Sequence, residues 1–213
     1  MEKMAKINKE KIEELKELKG EEIEKKSMEI IEKEIDLSLF SKEEKEIIKR
    51  VIHATADFEY KDTMIFHRDA IPQALKALKN EKDILVDVKM VEAGISQKYL
   101  GSSKVICYLS EVKEFETTRT EKAIELALKK EPNIGIIAIG NSPTALLKTI
   151  EILKQKNEKK VVVIGMPVGF VKALESKILL SKQDFPFITN ISRKGGSPAT
   201  CAVINALLRM KEW

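Results

Sequence analysis

Ile134-Gly135-Ile136-Ile137-Ala138-Ile139 runs directly into Gly140-Asn141-Ser142-Pro143-Thr144-Ala145. The first six residues read as a short strand with no polar face. The next six carry a glycine for a tight turn, a serine suited to an N-cap and a proline suited to the first helical position. The same design recurs toward the C-terminus. Val161-Val162-Val163-Ile164 leads into Gly165-Met166-Pro167-Val168-Gly169-Phe170, and Pro186-Phe187-Ile188-Thr189 precedes Arg193-Lys194-Gly195-Gly196-Ser197-Pro198. Toward the N-terminus lie two more apolar runs. One is Val105-Ile106-Cys107-Tyr108-Leu109; the other is Ile84-Leu85-Val86-Asp87-Val88, a strand candidate that ends in a carboxylate. Helical patterns separate them, over residues 73–79 and from Thr118 onward, where Ala123, Ile124, Ala127 and Leu128 share a face. Strands this apolar, alternating with helices, belong to a parallel sheet covered on both faces. The expected fold is α/β, a three-layer αβα sandwich with a mainly parallel sheet of about five strands.

Upstream of the sheet, Ser41 and Glu44 form a capping box. The helix they open carries Ile47, Ile48, Val51 and Ile52 inward, with Arg50 and His53 as neighbours on the flank. His53 is therefore expected at the edge of the core. A histidine in such a place is commonly structural; beside Arg50 and an anionic ligand it becomes a candidate proton donor. A preceding helix over residues 21–35 places Ser27 on the face of Ile23, Ile30 and Ile31. Its hydroxyl needs a partner, either a backbone carbonyl one turn back or a ligand oxygen. His67 reads as a turn residue with no assigned role.

The chain has 213 residues, a length that suits one domain. Residues 1–19 are rich in Lys and Glu and read as a charged helical extension ending at Gly20; residues 20–213 read as the single α/β domain. Apolar residues make up 43% but aromatics only 5%, so the core must be aliphatic. A net charge of +4, from 38 basic and 34 acidic side chains, does not point to nucleic acid, and no basic run is interleaved with aromatics. Nothing approaches the length of a membrane span and no signal pattern is present, so a cytoplasmic protein is expected. Cys107 and Cys201 read as small buried residues. The two histidines and two cysteines lack metal-ligand spacing. There is no phosphate loop, dinucleotide glycine fingerprint or nucleophile elbow.

In a parallel sheet the strand-to-helix turns gather at the carboxyl edge, where helix N-termini favour anions. Three glycine- and proline-bearing turns, with Arg193 and Lys194 added, imply a rim for a polyanionic small molecule.

Four segments also resemble a known family. Residues 50–57 (RVIHATAD), 140–146 (GNSPTAL), 165–171 (GMPVGFV) with Glu175-Ser176-Lys177, and 193–197 (RKGGS) are similar, in that order, to the precorrin-8X methylmutases of cobalamin biosynthesis. The resemblance runs from about Gly20 to the C-terminus. It implies an isomerase that moves a methyl group from carbon 11 to carbon 12 of a corrin precursor, with no cofactor; cobalt, where present, belongs to the substrate. It also implies a homodimer and a polycarboxylate corrinoid ligand, with no nucleic-acid or membrane partner. The family's catalytic histidine falls on His53, and its substrate contacts fall on Ser27, Arg50, Thr118 and Arg119. Asn141, Thr144, Arg193, Lys194, Gly195, Gly196 and Ser197, from two of the turns, complete the expected binding set. Two other readings are a tetrapyrrole carrier without catalysis, and an enzyme for another polyanion such as a sugar phosphate. The carrier has no need of His53, and the sugar-phosphate enzyme would need a phosphate signature.

Overall fold

The computed structural model describes residues 19–212, which fall in two units divided between Asp36 and Leu37. The expected extension over residues 1–18 lies outside the described residues. In the first unit the described element is α1 (Gly20–Glu34). Gly20 opens this helix rather than ending one, and the Lys19 N–H donates to Glu22 at 2.8 Å. Of the expected inward stripe, Ile31 is buried, Ser27 is half-buried, and Ile23 and Ile30 face solvent.

The second unit begins with α2 (Lys42–Thr55), opened by the expected box: Ser41 accepts from the Glu44 N–H, and Glu44 accepts from the Ser41 N–H. The helix ends on Ala56, a left-handed cap at φ 53°. A short turn of helix, α3 (Tyr60–Thr63), leads to β1 (Met64–Phe66), and then come α4 (Ala70–Lys79) and β2 (Asp83–Val86). The chain continues through α5 (Lys89–Gly94), β3 (Val105–Ile106), α6 (Arg119–Lys130), β4 (Ile134–Ile139), α7 (Pro143–Gln155), β5 (Val162–Gly165), α8 (Ala173–Leu180), β6 (Phe187–Asn190) and α9 (Ser197–Met210).

One six-stranded sheet runs β1-β6-β5-β4-β2-β3. The five expected strands are all present and pair in parallel; β1 adds an antiparallel edge, with Ile65 opposite Thr189. Every residue of β2, β4, β5 and β6 is buried. This is why their sequences are apolar without alternation. The β3 ladder is shorter than its apolar run, because Cys107 ends it and residues 108–111 turn into a 3-10 helix.

On one face, Leu85, Ile137, Ile139 and Val163 meet Ile124, Ala145, Leu146, Ile150 and Leu180 of the α6–α8 layer. The opposite face is covered by α4 and α9, and α2 packs on the outer side of α9. That second covering explains α9: from Ala199 to Ile204 every residue is buried, as expected of a helix with no solvent side. Among the described residues no helix is long and apolar enough to cross a membrane.

Candidate active site

The chain goes from β2 to the edge strand β3 and returns to β4 on the other side of β2. In such sheets this switch of direction opens a crevice at the strands' carboxyl ends, the usual place for a ligand anion. Here the protein supplies its own anion. Asp87, the first residue after β2, is fully buried. Its carboxylate accepts from the Gly140 N–H at 3.1 Å and from the Asn141 and Ser142 N–H groups at 2.8 Å each. Burial pushes its carboxyl up, against the pull of these three donors. The free N–H groups expected at this turn are therefore already used.

Next to the capped turn lies a closed ring of hydroxyls. Thr118 and Ser142, the N-caps of α6 and α7, are joined through Thr120 and Thr144. Thr118–Thr144 and Thr120–Ser142 are each 2.7 Å apart, Ser142–Thr144 is 2.9 Å and Thr118–Thr120 is 3.3 Å. The expected binding residues Thr118 and Thr144 thus come together, flanked by exposed Arg119 and Asn141.

The third turn was expected to offer Lys194 to a ligand. Instead its ammonium bridges Asp57 and Glu59, at 2.7 Å to each. Those hydrogen bonds raise the Lys194 ammonium and lower both carboxyls. Lys194 ties the stretch just after α2 to the turn just before α9, so it acts on the walls of the site. Gly195 serves a close approach: at φ 152°, a Cβ there would lie 2.2 Å from the Met166 carbonyl oxygen. The Gly196 N–H donates to that same oxygen at 2.8 Å. These glycines join two turns to each other. Arg193 is exposed, its guanidinium 5.8 Å from the Phe170 ring centre.

Beneath this turn sits Lys177, fully buried. It donates to the Lys194 carbonyl at 2.6 Å and to the Asn190 side-chain oxygen at 3.3 Å. Burial pushes its ammonium down from 10.5 to about 8. Between those values the unfolded chain holds more protons than the folded one, so stability rises with pH across this window. Lys177→Met, which leaves the Asn190 N–H on the Lys194 carbonyl, should flatten that rise. Urea titrations of both proteins at pH 8 and pH 10 check this; equal increments in the two would contradict it.

Arg50 and His53 of α2 meet Ser197 at a cavity of about 370 Å³ between α2, α5 and α9. Met90, Gly94, Pro198, Cys201 and Asn205 complete most of its lining. His53 is exposed at this cavity and does not sit at the core edge, because the groove keeps that flank of α2 open. The α5 wall is fastened from α9: Asn205 accepts from the Ser96 N–H at 2.8 Å and donates to the Gly94 carbonyl at 2.9 Å, and the Cys201 thiol donates to the Val91 carbonyl at 3.2 Å. Burial pushes that thiol up to about 11, so it stays protonated near neutral pH. Asp87, Met90, Cys201 and Asn205 were not expected at the site. Only Asp87 carried a signal, a carboxylate closing an apolar strand. Ser27 belongs to the first unit and is half-buried there. Among the described residues no three His, Cys, Asp or Glu side chains gather to hold a metal ion.

The precorrin-8X methylmutase family model aligns with residues 22–210. The chain belongs to the precorrin-8X methylmutase family. Members of this family are isomerases of cobalamin biosynthesis. The cobalt-precorrin-8 methylmutase of Priestia megaterium is 45% identical over 195 residues, covering 88% of this chain and 86% of that one. The protein of the same name from Methanocaldococcus jannaschii is 39% identical over 200 residues, covering 89% and 93%. The crystal structure of precorrin-8X methylmutase from Thermus thermophilus superposes with a TM-score of 0.82 at 37% identity, over 89% of this chain and 97% of that one. The mostly parallel sheet flanked by helices is therefore the fold of methylmutases of this family.

Proposed function

We propose that this methylmutase moves a methyl group from carbon 11 to carbon 12 of cobalt-precorrin-8, in the cytoplasm, as a homodimer, and that His53 is the proton donor. The observation that carries the reading is the shared wall of Arg50 and His53 in one cavity with the N-terminus of α9. A guanidinium three residues from an imidazole can hold a substrate carboxylate while the imidazole addresses the ring. Protonating a ring nitrogen drains electron density from the macrocycle and eases migration of the methyl group to the adjacent carbon. The proton returns to His53 as the rearranged ring relaxes, so the reaction is an isomerisation with nothing consumed. This reading assigns no cofactor and no resident metal; the cobalt is part of the substrate. The names of the two relatives favour the cobalt-containing version.

Arg119, Arg193, Thr118, Thr144, Asn141 and Ser197 are assigned to the peripheral carboxylates, with Arg50 nearest the reacting face. Ser27 keeps its place in the binding set on the family resemblance. Lys194, Gly195 and Gly196 are assigned to holding the site's walls.

The test is conversion. Purified protein with cobalt-precorrin-8, and separately with the cobalt-free substrate, should give the rearranged corrin with a change in its visible spectrum, faster with cobalt. A folded protein that converts neither would overturn the reading.

A further inference from the structure

The loop Pro167-Val168-Gly169-Phe170-Val171, between β5 and α8, contributes no side chain to the binding set assigned above. Val168 is 47% exposed, Phe170 84% and Val171 77%. Single exposed apolar side chains are ordinary; three within four residues form a surface. The loop is fastened beside the cavity. The Gly169 N–H donates to the Arg193 carbonyl at 3.1 Å, and the Gly196 N–H donates to the Met166 carbonyl at 2.8 Å. Val168 lies against the glycine turn, with its Cγ1 3.5 Å from where a Cβ on Gly196 would be. The next two residues, Ser197 and Pro198, line the cavity of Arg50 and His53. The Arg193 guanidinium stands 5.8 Å from the Phe170 ring centre. An apolar plate with a cation at its margin therefore borders the cavity.

The cavity holds about 370 Å³. A corrin macrocycle with its acetate and propionate arms is larger than that, so part of it must rest on neighbouring surface. That surface has to be apolar under the ring and cationic where the arms end. We propose that Phe170, with Val168 and Val171, is the platform for the part of the corrin ring that extends past the cavity, and that Arg193 takes a carboxylate at its edge. The inference rests on the methylmutase reading and deepens it. Offset stacking of the phenyl on the conjugated ring supplies the contact, and the guanidinium supplies a charge-assisted pair.

The experiment compares wild type with Phe170→Ser, whose side chain is too exposed for the change to disturb the core. It reads KM and kcat for the corrin precursor, product affinity by absorbance titration, and sedimentation velocity over a range of protein concentration. Losing the buried phenyl contact should raise KM and the product Kd about tenfold, with kcat within about threefold. Unchanged KM and Kd would overturn the platform. A weakened self-association with unchanged product Kd would also overturn it, giving the plate to a second copy of the chain. Wild type that binds product without turnover would sink the methylmutase reading alone, and the product titration would still decide the platform.

Discussion

His53→Ala is expected to lower turnover about 10²–10⁴-fold, the usual worth of one positioned general acid, while product still binds. The size of the effect follows from where the residue stands. His53 is in the last turn of α2, exposed at the cavity, while Ile47, Ile48, Val51 and Ile52 on the other side of the helix make the core contacts. Removing the imidazole leaves those contacts and the Ser41–Glu44 cap in place, so the fold should persist. The loss should appear in kcat, since proton transfer belongs to the transition state and not to ground-state binding. Single-turnover absorbance with equilibrium product titration separates the two. Unchanged kcat in folded variant would remove His53 from the chemistry.

Asp87→Ala should lower stability by about 3 kcal/mol or more, because two buried N–H groups, of Gly140 and Ser142, and the partly buried one of Asn141 lose their acceptor at about 1–3 kcal/mol each. For a chain of this size each kcal/mol moves Tm by roughly 2–4 °C, so a fall of about 6–12 °C is expected. The carboxylate also supplies negative charge at the opening of α7, which the helix dipole favours. Asp87→Asn should recover little, because its amide NH2 would face N–H donors. Formate, small enough to enter the vacated space, should restore part of the Tm in Asp87→Ala and none in wild type. Thermal unfolding followed by circular dichroism reads all three. An Asp87→Ala protein as stable as wild type would show that the turn at residues 140–142 does not depend on its internal anion.

The five parallel strands were legible because each is buried on both faces and so written in apolar residues without alternation. β1 was not. Met64-Ile65-Phe66 is three residues long, pairs on one side only, and shows no periodicity against Tyr60–Thr63 before it. The pairing of Arg50 with His53 was legible from helical spacing, since one helix carries both. Their partners across the cavity come from α5 and α9, more than thirty and more than one hundred residues away, and no local pattern announces such a meeting. At the first turn of the expected anion rim the N–H groups are taken by Asp87, for a physical reason. Glycine, serine and proline mark a helix N-terminus that wants an acceptor, but they do not say whether the acceptor is a ligand or the protein's own Asp87. Lys194 follows the same logic: a cation in a turn looks available in the sequence, but the fold brings Asp57 and Glu59, more than 130 residues earlier, against it.

The most direct measurement is a crystal structure with the rearranged corrin bound. The ring-nitrogen face is expected within hydrogen-bond reach of the His53 imidazole, with one carboxylate on Arg50 and the macrocycle entering between α2 and α9. A corrin seated away from that cavity, with His53 touching no part of the ring, would contradict that placement.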